Sequence, residues 1–103
     1  MSNQNLNYTV QVESELEELI PGFLKNRLSD IQKITDSLQK SDFDAIKLIG
    51  HTMKGNGAGY GFNRISELGK SIESAAKEKH IAAIQELLNE LSVYIDRVQI
   101  EYV

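Results

Sequence analysis

Residues 43–61 read FDAIKLIGHTMKGNGAGYG, and their spacing decides the fold. Ile46, Ile49, Met53 and Tyr60 recur at helical intervals and share one face at ~100° per residue, so a helix with a buried stripe is expected from about Phe43 to Tyr60. Ser41 or Asp42 is suited to cap its start, and Gly61 to break its end. Tyr60 lies on the apolar face and is expected in the core.

The same stretch is expensive as a helix. Gly50, Gly55, Gly57 and Gly59 each cost ~1 kcal/mol against alanine, ~3–4 kcal/mol together, which is a large share of a small domain's stability. A helical wheel separates their uses. Gly50 and Gly57 point towards the core and suit the close approach of a neighbouring helix. Gly55 points away from the core, where packing within the domain gives it no purpose. His51 lies ~140° from the core direction and is expected to be exposed. Lys54 stands three residues after His51, within side-chain reach, and Gly55 follows it. Leu48, three residues before His51, is an apolar residue on the water-facing side. One exposed patch therefore combines an imidazole, a cation, open space and an apolar rim.

The flanking sequence is helical as well. Ser14-Glu15-Leu16-Glu17 fits a capping box, which predicts a short helix to about Ile20. Pro21, tolerated in a first turn, is expected to open a second helix running to about Gln39, with Leu24, Leu28, Ile31 and Leu38 as its buried stripe and Phe23 and Ile34 alongside. Beyond Gly61, one helix carries Phe62, Ile65, Leu68, Ile72, Ala75 and Ala76 and ends near His80, read as a turn or cap residue. Another carries Ile84, Leu87, Leu88, Leu91, Ile95 and Val98 and ends near Tyr102. Four long amphipathic helices with short connections predict an all-α fold, an antiparallel up-down-up-down four-helix bundle with a short extra N-terminal helix lying across one end. Residues 1–12 are expected to form a flexible arm and residues 13–103 the single domain. The acidic and lysine residues of the three helices other than that of residues 43–60 read as ordinary solvated faces.

Composition excludes several classes. The chain has 103 residues, 41% of them apolar and 25% charged, the profile of one soluble globular domain. It has no cysteine, so thiol catalysis and thiolate metal sites are excluded. No apolar run is long enough to span a membrane, the first residues lack the pattern of a signal peptide, and a cytoplasmic location is expected. The net charge of −4 argues against nucleic acid as a partner. A metal site at His51 would need a second ligand; Asp44 is about two turns away and His80 is on another helix, so no metal and no cofactor are expected. Gly69-Lys70-Ser71 imitates the end of a phosphate-binding loop, but Arg64 stands where its upstream glycine should be.

The patch suits phosphoryl transfer. A neutral imidazole nitrogen is a competent nucleophile towards a phosphoryl group near pH 7. The product gains about two negative charges, which a nearby cation such as Lys54 can meet. Gly55 leaves steric room, and Leu48 is suited to anchor a partner, with Lys47, Ala58 and Arg64 as further candidates for partner contact.

His51, Lys54, Gly55 and Gly61 together resemble the signature of the histidine phosphotransfer domains of bacterial phosphorelays: histidine, lysine three residues on, glycine next, and glycine ten residues after the histidine. LEELIPGFL at 16–24, Ser41-Asp42-Phe43 and LGKSIESAA at 68–76 are similar to the same family, over roughly residues 14–100. The resemblance implies a phosphocarrier without a catalytic cycle of its own. His51 would accept a phosphoryl group from the aspartyl phosphate of a response-regulator receiver domain and pass it to another receiver, which supplies the magnesium ion and the aspartate. Receiver domains, and a hybrid histidine kinase, are the implied partners of a monomer. The alternative is a bundle that binds a receiver without transfer.

Overall fold

The computed structural model describes residues 8–103. The chain runs β1 (Thr9–Val12), a 3-10 turn (Ser14–Leu19), α1 (Ile20–Gln39), α2 (Phe43–Gly57), a second 3-10 turn (Ala58–Tyr60), α3 (Asn63–Lys77), α4 (Ile81–Arg97) and β2 (Gln99–Tyr102). α1 packs on α2 and α4, and α3 packs on α2 and α4, which closes the helices into a four-helix bundle. Its centre is built from Ile34, Ile46, Met53, Phe62, Ile65, Ile72, Ile84 and Leu91, all fully buried. Full burial of a side chain of this size contributes about 1.5–3 kcal/mol.

The three helix-to-helix connections are built alike. After α1, Ser41 N–H donates to Leu38 C=O and Asp42 N–H to Ser37 C=O. After α3, Lys79 N–H donates to Ala76 C=O and His80 N–H to Ala75 C=O. After the second 3-10 turn, Gly61 N–H donates to Ala58 C=O and Phe62 N–H to Gly57 C=O. Each is a Schellman closure around one left-handed residue: Ser41 at φ 55°, Lys79 at φ 53° and Gly61 at φ 94°. The next residue then starts the following helix. Asp42 Oδ1 accepts from Ala45 N–H at 3.1 Å, and His80 Nδ1 accepts from Ala83 N–H at 3.1 Å. His80 is thus a helix cap, as expected from its place in the sequence.

Five expectations need correction. The segment Ser14–Leu19 is a 3-10 turn, and Ser14 does not cap it; its N–H and Oγ both donate to Val103 C=O, at 2.9 and 2.8 Å. The helix expected to reach Tyr60 is α-helical only to Gly57 and tightens to a 3-10 turn, with Tyr60 half-buried against Phe23. The last helix stops at Arg97 instead of near Tyr102. Of the stripe expected on α1, Leu24, Ile31 and Leu38 pack half-buried against the core, but Leu28 is exposed and the fully buried positions are Ile20, Phe23, Arg27 and Ile34. Arg27 takes the place a leucine was expected to fill: its aliphatic stem is buried, its Nε donates to Asp30 Oδ2 at 2.8 Å, and its guanidinium lies 4.7 Å from the Phe23 ring centre.

The two ends of the described chain also differ from expectation, since they pair with each other. Of the expected flexible arm, residues 1–7 lie outside the described residues, but Thr9–Val12 is a strand. It pairs in parallel with β2, in register from Thr9 opposite Gln99 to Val12 opposite Tyr102. Val12 is only 2% exposed and packs over Gly61, where a Cβ would come within 3.1 Å of its methyl group. The all-α bundle thus carries a two-stranded clasp that joins its first and last described segments.

Candidate functional site

The site rises from the seam between α2 and α3. In the helix that Asp42 caps, Ile46 and Met53 point inward, which turns His51 outward with a side chain 60% exposed. Leu48 shares this outward side and is 65% exposed, the most open large apolar side chain of the helices. Gly55 meets nothing within 4 Å of where its Cβ would stand, so space is open one turn after His51. Lys54 is half-buried at the edge of the same face.

A residue from α3 completes the arrangement. The Glu73 carboxylate lies between the two cationic or donating groups: Oε2 is 3.0 Å from His51 Nδ1, and Oε1 is 3.1 Å from Lys54 Nζ. The hydrogen bond from Lys54 holds the Glu73 carboxyl below the usual glutamate range; partial desolvation opposes this, and the bond from His51 assists it. Glu73 is therefore ionised at neutral pH and can only accept. Nδ1 of a neutral His51 then carries the ring proton, which leaves the Nε2 lone pair free.

Glycines set the spacing of the seam. A Cβ on Gly50 would stand 2.8 Å from both Glu73 N and Gly69 O, and a Cβ on Gly57 2.6 Å from Ser66 N. Both glycines admit close approach of α3, as their core-facing positions predict. The reading of the acidic residues on the other three helices as solvated faces fails at Glu73. Its signal was Gly69, one turn earlier on α3 and itself in the seam, between the buried Leu68 and Ile72.

The other candidates scatter. Lys47 is half-buried on α2, and Ala58 is exposed, its N–H donating to Ser66 Oγ at 2.7 Å. Arg64, in the first turn of α3, is bound to Glu67 at 3.2 Å and Glu90 at 3.1 Å. It stands nine residues before Glu73, ~13 Å along the helix, so it is not part of the His51 cluster. Arg64 lines instead a cleft of about 860 Å³ between β1, α3 and α4, with Tyr8, Val10, Glu90 and Tyr94. His51 does not line this cleft. Its side chain stands open to solvent on the outward side of α2.

The family model of the Hpt domain matches residues 11–101. The chain belongs to the Hpt domain family. Hpt domains are phosphocarrier modules of two-component phosphorelays, which act through a phosphohistidine and interact with receiver domains and kinases. None of the curated proteins and none of the solved structures compared matches the chain. In this Hpt domain, no group of three or more His, Cys, Asp or Glu side chains among the described residues is arranged to hold a metal ion. No helix among them is long and apolar enough to cross a membrane.

Proposed function

We propose that this Hpt domain accepts a phosphoryl group on Nε2 of His51 from the aspartyl phosphate of a receiver domain and passes it to another receiver. The observation that carries this reading is the Glu73–His51 hydrogen bond on Nδ1, with Nε2 left to solvent. In the accepting step the Nε2 lone pair attacks phosphorus, an N–P bond forms and the P–O bond to aspartate breaks. The aspartate leaves as a carboxylate, and the Nδ1 proton stays where Glu73 holds it. No proton must leave the nucleophile, so the domain needs no general base.

Lys54 then turns its ammonium from Glu73 towards the phosphoryl oxygens, and Gly55 leaves the space they enter. The receiver supplies the magnesium ion and the aspartate. Leu48 anchors the receiver's apolar surface, with Lys47 beside it on α2; Ala58, in the turn that follows α2, and Arg64 contact a receiver only at the edge of such a footprint. The three short connections support an antiparallel course of the helices, and the reading is of a cytoplasmic monomer.

The test is incubation of the full chain with a phosphorylated receiver. An acid-labile, base-stable label should appear on the protein and be absent from His51→Gln. Binding of the receiver without any label would replace this reading with that of a non-transferring module.

A further inference from the structure

The α2–α3 seam is tight where the site is. At Gly50 and Gly69 the two helices touch backbone to backbone. A Cβ on Gly69 would stand 2.6 Å from Lys54 N, 2.8 Å from Gly50 O and 2.9 Å from Met53 Cβ. A Cβ on Gly50 would stand 2.8 Å from Glu73 N and 3.2 Å from Glu73 Cα. Apart from the Met53 Cβ these are main-chain atoms, so no side-chain rotation relieves the overlap and the helices themselves would have to part. The residues at this contact are those of the site or their immediate neighbours: Gly50 precedes His51, Lys54 faces Gly69, and Glu73 faces Gly50.

We propose that Gly50 and Gly69 are positioning residues, whose facing contact sets the helix separation at which Glu73 reaches Nδ1 of His51 and fixes its tautomer. The proposal rests on the reading of His51 as phosphoacceptor and assigns that reading a source of control. The two Glu73 contacts have ordinary lengths, 3.0 Å to His51 and 3.1 Å to Lys54, with no excess reach. A widening of the seam by about 1 Å takes both beyond hydrogen-bond distance. Nδ1 would then lose its acceptor, the proton would redistribute between the ring nitrogens, and the fraction of His51 with a free Nε2 lone pair would fall. Gly57 provides the contrast. It too meets a backbone, at Ser66 N, but it lies seven residues past Gly50, ~10 Å along α2 and away from Glu73.

The test is the ring-nitrogen spectrum of His51 in the ¹⁵N-labelled full chain, followed by pH titration to the plateau of the neutral form. Wild type should show the proton on Nδ1. Gly50→Ala and Gly69→Ala should shift the plateau towards the Nε2–H tautomer and slow phosphoryl acceptance from a phosphorylated receiver by about tenfold. Gly57→Ala should leave the tautomer unchanged. Retention of Nδ1–H in folded Gly50→Ala and Gly69→Ala overturns the proposal, and so does an equal shift in Gly57→Ala. Glu73→Asp covers the case in which both alanine variants fail to fold, because it shortens the reach by one methylene and leaves the seam intact. Loss of Nδ1–H in that variant supports a spacing without slack; its retention overturns the proposal. The tautomer is read without any phosphoryl donor, so its outcome stands apart from the phosphotransfer assay. A wild type with Nδ1–H that never forms phosphohistidine sinks the proposed function instead.

Discussion

Glu73 accepts a hydrogen bond from Nδ1 of His51 at 3.0 Å across the seam between α2 and α3. This single contact orders the roles of the site. It places the proton of the neutral ring on Nδ1, and the same carboxylate binds Lys54 at 3.1 Å; in the proposed function Nε2 carries the chemistry and Lys54 exchanges Glu73 for a phosphoryl oxygen.

Replacement of Lys54 by alanine should slow phosphoryl acceptance about tenfold, equivalent to ~1.4 kcal/mol of transition-state stabilisation. Lys54→Arg keeps the charge but not the point-like ammonium, and should recover part of that rate. Single-turnover transfer from a phosphorylated receiver measures both. An unchanged rate in Lys54→Ala would remove the lysine from the mechanism.

The charge of Glu73 should make stability depend on pH in one direction. Its carboxyl titrates lower in the folded chain than in the unfolded one, chiefly through the Lys54 hydrogen bond. The unfolded state therefore binds more protons as the medium turns acid. The stabilisation is complete above the ordinary glutamate value and is lost as pH falls through the lowered folded value. Urea midpoints of wild type and Glu73→Gln, compared from pH 7 to pH 3, should differ at the upper end and converge at the lower. A difference that grows on acidification would contradict the assignment.

Much of this was readable from residue order, and the failures have physical causes. The Ile46–Met53 stripe, the Asp42 cap and the Gly61 break are local signals, and each appears where spacing puts it. The turns at Ser41 and Lys79 are left-handed without glycine, so no residue type announces them. Arg27 is buried in the stripe because its stem packs and its charge is paired, while periodicity alone favours the neighbouring Leu28. The β1–β2 clasp joins Val12 to Tyr102, and two four-residue strands at opposite ends of a chain leave no local pattern. Glu73 was hidden for a similar reason. Its partners lie on another helix, and only the seam glycines bring them within reach.

Arg27→Ala should cost about 2–3 kcal/mol, since it leaves the Asp30 carboxylate without its partner and strips the stem from the Phe23 ring. Chemical denaturation of the variant reads this directly. A loss below about 0.5 kcal/mol would mean that the pair behaves as a surface ion pair.

Removal of the Tyr94 hydroxyl should do the reverse. That oxygen is buried without a hydrogen-bond partner among the described residues, and burial pushes its ionisation upward. Tyr94→Phe should therefore be neutral or stabilising by up to about 1 kcal/mol. A clear loss of stability in thermal unfolding would reveal a partner for the hydroxyl.

The central claim is tested most directly by the position of the phosphoryl group in the phosphorylated chain, read by ³¹P and ¹⁵N spectra of His51 after transfer from a receiver. The account predicts one N–P bond, on Nε2 of His51, with Nδ1 still protonated. A bond on Nδ1, or a label that persists in His51→Gln, would contradict it.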